Sequence, residues 1–187
     1  MKKFLAWMVA GLVTVQGAWA AAPAVLSETA GFSFQQYTGS ATVGIGEVNV
    51  DNTLFFIDEG VTGGMHSWYI FFDAATPSRL EAMLQFEQPV LAVYDTRASI
   101  DATTPVYGLS TVRYGSRSFT GLEGSDSLTW ADNILLLDWH VASPGDHVRV
   151  LTAVAPAVPE PASLPLLAGG LVLVVYLARR RLGNRNA

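Results

Sequence analysis

The sequence predicts an all-β protein, a single β-sandwich or jelly-roll-like domain between two apolar ends. Three observations support this fold class. Several runs alternate apolar and polar residues with a period of two. Other short runs are almost wholly apolar and rich in aromatic or β-branched residues, and turn-forming residues separate the runs. Eight to ten short strands at this spacing are typical of a sandwich.

The clearest alternation runs from Leu80 to Phe86, where every second residue is apolar. We predict a strand there, although 77–86 also fits a helical period. Phe32 and Phe34 alternate with polar neighbours in the same way. Val148 and Val150 alternate with His147 and Arg149, which places His147 on a solvent-facing side of a strand.

The apolar runs predict further strands at 54–57, 68–72, 90–94 and 134–137. Their expected boundaries are clusters of turn formers: Asp58-Glu59-Gly60, Gly63-Gly64, Thr76-Pro77-Ser78, Thr104-Pro105 and Ser143-Pro144-Gly145-Asp146.

The first 20 residues have the three parts of a secretory signal peptide. Lys2 and Lys3 precede an apolar stretch of 12 residues, and Ala18-Trp19-Ala20 offers small residues at the positions that signal peptidase accepts. We therefore expect cleavage after Ala20 and export of the mature protein, with the sandwich domain spanning 21–152.

The charge of the chain excludes nucleic acid as a partner. Residues 23–157 contain 15 acids and 5 bases, all of them arginine, which gives a net charge of −10. Such a surface repels nucleic-acid phosphates and anionic lipid. The chain has no cysteine, so disulfides, thiolate metal sites and cysteine nucleophiles are excluded.

No catalytic, cofactor-binding or metal-binding residues are predicted. His66, His140 and His147 are too scattered for a zinc-ligand spacing, and there is no Gly-x-Ser-x-Gly elbow. We expect that the protein is not an enzyme. Two binding alternatives stay open: calcium held by loop acids, and sugar rings stacked on aromatic side chains. The acids concerned are Asp51, Asp58, Glu59, Asp95, Asp101, Glu123 and Asp126, and the aromatic residues are Trp68, Tyr69, Trp130 and Trp139, which more often belong to a core.

The C-terminal region has three parts. Residues 153–163 are a proline-rich spacer, which should be extended because proline fixes φ and donates no hydrogen bond. Residues 164–178 carry no charge and predict a transmembrane helix. That helix is only about 22 Å long at 1.5 Å per residue. Arg179, Arg180 and Arg181 then stop transfer and place residues 179–187 in the cytoplasm.

This order of motif, helix and arginines resembles a PEP-CTERM sorting signal, whose motif here is Val158, Pro159, Glu160 and Pro161. The resemblance implies recognition by an exosortase, a membrane-embedded cysteine transpeptidase that cuts near the motif. Segments at 121–126 and 143–152 are also similar to ectodomains of other uncharacterised PEP-CTERM precursors.

The resemblance implies a precursor held by a single membrane span, transient or permanent, in the inner membrane. The protein then reaches the cell envelope, the cell surface or the extracellular space. Its expected role is structural or interactive, in an extracellular matrix or biofilm containing exopolysaccharide. A carbohydrate- or calcium-binding module is the alternative, and a polysaccharide-acting enzyme, which needs two facing carboxylates in a cleft, is a third hypothesis.

Overall fold

A computed structural model describes residues 21–118, 120–141 and 145–156. Within them the chain forms nine strands and one helix. In chain order these are β1 (Ala24–Glu28), β2 (Ser33–Gln36), β3 (Thr53–Thr62), β4 (Met65–Phe72), β5 (Ser78–Gln85), β6 (Val90–Tyr94), α1 (Arg97–Tyr107), β7 (Ser127–Ala131), β8 (Ile134–Val141) and β9 (Asp146–Ala153).

The strands form two sheets. One has four strands in the order β1-β5-β8-β7, and the other has five in the order β2-β3-β4-β9-β6. All neighbours are antiparallel except β2 and β3, which are parallel. The all-β prediction is confirmed for the described residues, and β5 shows that 77–86 is a strand rather than a helix. The predicted signal peptide and the predicted span at 164–178 lie outside these residues.

The main core lies between the two sheets and contains side chains from both. Trp68 of β4 and Trp139 of β8 are its largest members, each 2% exposed or less. Burial of Trp68, Tyr69 and Trp139 confirms that these aromatic residues are core rather than sugar platforms. Trp130 differs, because it lies on β7 at the edge of the four-stranded sheet and is 46% exposed.

The two sheets differ on their outer faces, and the sequence reflects the difference. In β5, buried and accessible residues alternate, because the outer face of the four-stranded sheet is open. In β4, every residue after Met65 is buried. A second apolar cluster covers the outer face of the five-stranded sheet, which explains why its central strand is a continuous apolar run.

Helix α1 belongs to that outer cover and was not predicted. Its N-terminus is a capping box, in which Thr96 Oγ1 accepts from the Ser99 amide and Ser99 Oγ accepts from the Thr96 amide. The helix buries Ile100 against the sheet. Thr104-Pro105, predicted as a turn, lies in its last turn, so that prediction was wrong.

The predicted turn at Asp58-Glu59-Gly60 was also wrong. Strand β3 continues to Thr62, and its pairing with β4 shifts between Asp58 and Gly60. Gly60 has φ of +78°, the left-handed conformation that such bulges use. Glu59 is therefore an extra residue in the ladder, and its side chain joins the polar cluster described below.

Candidate functional site

The predicted sorting motif (Val158, Pro159, Glu160 and Pro161), the stop-transfer residues (Arg179, Arg180 and Arg181) and the signal cleavage site at Ala20 lie outside the described residues. Among the described residues no helix is long and apolar enough to cross a membrane. The candidate sites that geometry can address therefore lie in the sandwich domain.

The loop acids that suggested calcium are dispersed, and several of them already have protein partners. Asp51 accepts hydrogen bonds from the amides of Ala75 and Thr76, and these bonds lower its pKa. Asp126 accepts from the amides of Glu123 and His140. Nowhere in residues 21–118, 120–141 and 145–156 do three or more His, Asp or Glu side chains gather as a metal site would require.

The histidines occupy three different environments. His66 stacks on Trp68 with ring centroids 4.3 Å apart, and its Nε2 lies 2.6 Å from Asp58 Oδ1. His140 is exposed beside Trp139. His147 is 1% exposed, so its predicted position on a solvent-facing side is wrong. Burial, together with Arg149, lowers the pKa of His147 to about 4, so this imidazole is neutral.

A buried ion pair lies between the five-stranded sheet and α1. Arg149 Nε and Nη2 donate to the two carboxylate oxygens of Glu59 at 2.7 and 2.9 Å. Both side chains are fully buried. Ser67 Oγ also donates to Glu59 Oε2, at 2.6 Å. The bulge in β3 thus supplies the carboxylate, β9 the guanidinium and β4 the hydroxyl of one buried cluster.

Helix α1 covers this cluster on the side away from the five-stranded sheet. Arg149 Nη1 donates to Thr103 Oγ1 at 2.6 Å and to the Ile100 carbonyl at 3.1 Å. The rings of Tyr69 and Tyr114 lie 5.4 and 5.7 Å from the guanidinium carbon. Burial raises the pKa of Tyr69 well above its usual value. Because both charged side chains are fully buried, the arrangement ties α1 to the sheet and presents no charge to a ligand.

Sequence reasoning missed this cluster. Alternation along β9 indicates that His147 and Arg149 share one face, but it cannot indicate that a helix distant in sequence covers that face. The available signals were weak ones: an arginine inside an apolar strand, and a glycine after Glu59 that marks a bulge.

Asp146 is a buried acid that forms no salt bridge among the described residues. It begins β9, is 5% exposed, and its Oδ2 has no hydrogen-bond partner among the described residues. Desolvation, with smaller contributions from Asp126 and Glu123, raises the pKa of Asp146 to about 8. This carboxyl is therefore mostly protonated at neutral pH, which reduces the cost of burying it.

The open face of the four-stranded sheet carries a groove of about 460 Å³, here called the outer groove. It runs across β5 between β1 and β8. Three carboxylates, two hydroxyls and a thioether are prominent in its lining: Glu28, Glu81, Asp138, Ser27, Thr29 and Met83.

Arg79 organises the carboxylates at this groove. Its Nε and Nη2 donate to the two oxygens of Asp138 at 2.9 Å each, and Nη2 also lies 2.9 Å from Glu81. Hydrogen bonding by Arg79 lowers the pKa of Asp138. A general acid in glycoside hydrolysis needs a carboxyl of raised pKa. The groove therefore offers hydrogen-bonding groups suited to a polar ligand. The pKa of Asp138 is lowered, whereas a general acid needs a raised one.

Comparison with known sequences adds information on the remaining segment. The family described as PEP-CTERM protein-sorting motif matches residues 157–181. No curated protein and no solved structure matches the chain. The matched range contains Val158–Pro161 and the three consecutive arginines from Arg179.

The match has consequences for handling and destination. A motif of this kind implies an exported protein that is targeted to and processed by exosortase. It also implies a cell-surface or extracellular localisation. Residues 157–181 of the chain therefore carry a PEP-CTERM protein-sorting motif, which supports the resemblance noted from the sequence.

Proposed function

We propose that this chain, once exported and processed, is a structural or interaction protein of the cell envelope or of an extracellular matrix that contains exopolysaccharide, and that it is not an enzyme. The observation that carries the proposal is the sorting motif at 157–181. It closely follows a domain with its own core, whose last strand ends at Ala153. The motif directs export and processing, and the folded domain carries out the role at the cell surface or in the matrix.

The accessible chemistry of the domain supports a non-catalytic role. Its most enclosed charged groups, Glu59 and Arg149, satisfy each other beneath α1. At the outer groove Arg79 holds Asp138 in its ionised form. Both arrangements stabilise ground-state structure, and neither provides a carboxyl of raised pKa at the groove.

A test follows the protein in its native host by mass spectrometry and fractionation. We expect the mature protein to lack Leu164–Ala187 and to be recovered from the surface or matrix. Replacing Pro159 and Glu160 by alanine should leave membrane insertion intact and block processing, so that a membrane-bound precursor accumulates. Pro156→Ala is the matched control, because it removes a spacer proline just outside the matched range.

Two results would overturn the proposal. One is a wild-type protein that keeps its C-terminal peptide and stays in the inner membrane. The other is processing of the alanine variant to the same extent as wild type. Either would mean that the segment is only an anchor.

A carbohydrate-binding role is the second candidate, and the outer groove favours it. The groove gathers carboxylates and hydroxyls on an exposed face, although Trp68, Tyr69 and Trp139 are buried elsewhere. Binding of the exported protein to a glycan array tests this. Glu81→Gln should abolish any groove-dependent signal, whereas Glu123→Gln, at an exposed acid outside the groove lining, should leave it unchanged.

A further inference from the structure

The chain ahead of β1 lies against the segment that connects β5 with β6. The Ala21 N–H donates to Glu87 Oε2 at 3.1 Å, and both residues are exposed. Pro23 is buried, and Ala24 pairs with Gln85 in the ladder between β1 and β5. The course of the chain into β1 therefore brings the Ala21 nitrogen to the Glu87 carboxylate.

The position of Glu87 is fixed by contacts on both sides of it. Phe86 is buried in the main core, its N–H donates to the Asn133 carbonyl, and its carbonyl accepts from Asn133 Nδ2 at 2.7 Å. On the other side, the Pro89 carbonyl accepts from the Ala153 N–H at 2.9 Å. The carboxylate is thus presented by a segment that is bonded to elements of both sheets.

Cleavage of the signal peptide changes the chemistry of the Ala21 nitrogen. In the precursor this atom belongs to a peptide bond, so it is an uncharged donor. Hydrolysis of that bond consumes one water, leaves a carboxyl group on Ala20 and gives Ala21 a free amine. An α-amino group ordinarily has a pKa of about 7.7–8.0 and takes up a proton at neutral pH. The predicted cleavage after Ala20 therefore places a new cation beside Glu87.

We propose that removal of the signal peptide after Ala20 replaces this hydrogen bond by an ion pair, in which Glu87 holds the new α-amino group of Ala21 in its protonated form. An opposite charge in direct contact favours the charged form of an amine. The ion pair joins the start of β1 to the segment after β5, and it exists only in the cleaved chain. The start of β1 is therefore held more firmly in the exported protein than in the precursor.

Other charged groups near β1 lie at its far end or act in the same direction as Glu87. Arg79 and Glu81 of β5 are at the far end of β1, since the Thr29 N–H donates to the Glu81 carbonyl. Asp132 lies in the turn between β7 and β8 that contacts the segment of Glu87. As an acid, Asp132 also favours the protonated amine, without the direct contact that Glu87 makes.

The ion pair has a consequence for the reactivity of the exported chain. The lysines of the sequence are Lys2 and Lys3, and both precede the predicted cleavage site. After cleavage, the α-amino group of Ala21 is the one primary amine that the sequence supplies. A protonated amine is only a hydrogen-bond donor, with no electron pair for attack on an electrophile. Glu87 therefore reduces the reactivity of this amine toward electrophiles, such as the carbonyl groups of reducing sugars.

Acylation of the amine tests the ion pair directly, because the label can enter at a single position. The exported protein is isolated from its native host, and its intact mass shows whether Ala21 is the first residue. Its reaction rate with an N-hydroxysuccinimide ester is then followed across neutral and alkaline pH. We expect the wild-type amine to titrate at least about half a pH unit above the ordinary α-amino range. Glu87→Gln should remove most of this rise, so that the variant is acylated about three times faster at pH 7.

Two control variants separate the ion pair from the general negative charge of the domain. Glu28→Gln removes an acid from the other end of β1, about 23 Å from Ala21 along the strand, and should leave the titration unchanged. Asp132→Asn should lower the titration less than Glu87→Gln does, because Asp132 makes no direct contact with the amine. The circular dichroism spectra of all variants should match wild type, because the three positions are exposed.

Three outcomes would overturn the proposal. The first is a mature chain that begins at a residue other than Ala21. The second is a Glu87→Gln variant whose acylation follows the same pH profile as wild type. The third is a shift in Glu28→Gln or Asp132→Asn as large as that in Glu87→Gln, which would assign the effect to the overall charge of the domain.

Discussion

Arg149 and Glu59 are joined by two hydrogen bonds of 2.7 and 2.9 Å, with both side chains fully buried between the five-stranded sheet and α1. Arg149 comes from β9 and Glu59 from the bulge in β3, so the pair links elements that are 90 residues apart in sequence. The threonines of α1 satisfy the remaining guanidinium donors.

Glu59→Ala should destabilise the domain by about 3–5 kcal/mol, because it leaves the Arg149 charge buried and unpaired. The double variant Glu59→Leu with Arg149→Met should be much closer to wild type, because neither charge remains. Urea denaturation of the exported protein measures both. Arg79→Ala is the control: its ion pairs are exposed, so its loss should destabilise the domain far less than the loss of Glu59. Equal losses from Glu59→Ala and Arg79→Ala would contradict this account.

Stability should fall as pH rises from 6.5 to 8, and Asp146 is the cause. Its folded-state pKa of about 8 lies above the ordinary 3.8, so the unfolded state binds fewer protons across this window. Below pH 6.5 the effect is opposed by His147, whose pKa of about 4 is lower than its ordinary 6.5. Above pH 6.5 the Asp146 effect remains, on the order of 1–2 kcal/mol.

Thermal unfolding of wild type and Asp146→Asn at pH 6.5 and pH 8 measures this slope. The asparagine variant cannot ionise, so its melting temperature should change less between the two pH values. Asp51→Asn is the control, because the pKa of Asp51 is lowered rather than raised. A variant slope equal to that of wild type would assign the pH dependence to another group.

Gly44→Ala should destabilise the domain more than Gly64→Ala. The two glycines have nearly equal φ angles, +80° and +81°, so the backbone strain of adding a side chain is the same. A Cβ at Gly44 would lie 2.9 Å from His147 Nδ1 and 3.0 Å from the Tyr69 hydroxyl, whereas Gly64 has nothing within 4 Å.

We expect about 1 kcal/mol for Gly64→Ala from strain alone, and at least 1 kcal/mol more for Gly44→Ala from overpacking. Chemical denaturation of the two variants in parallel measures the difference. Equal losses would mean that the His147 side chain can move away at little cost.

Replacing Arg179, Arg180 and Arg181 by neutral residues should impair membrane retention or orientation at a step before processing, because these residues are predicted to stop transfer. The processed form should then be depleted without accumulation of the correctly oriented precursor. Protease accessibility of the precursor distinguishes this from the Pro159/Glu160 variant, in which orientation is normal. Normal processing of the arginine variant would remove these residues from the mechanism.

The order of apolar and polar residues predicted those strands whose pattern is set by burial of one face or of both faces. In β5 the period of two reflects a sheet with one open face, and in β4 the continuous apolar run reflects a strand covered on both sides. The sorting motif was equally accessible to sequence reasoning, because an enzyme reads it as a linear order of residues.

Features that depend on distant segments could not be predicted in this way. Alternation places His147 and Arg149 on one face of β9, yet their burial depends on α1 and on the loop at Gly44, which reach that face from elsewhere in the chain. The Asp58-Glu59-Gly60 sequence favours a turn locally, but pairing with β4 makes it a bulge. Glu59, expected in a turn, is instead the buried partner of Arg149, because a buried charge needs an opposite charge and hydrogen bonds to offset its desolvation.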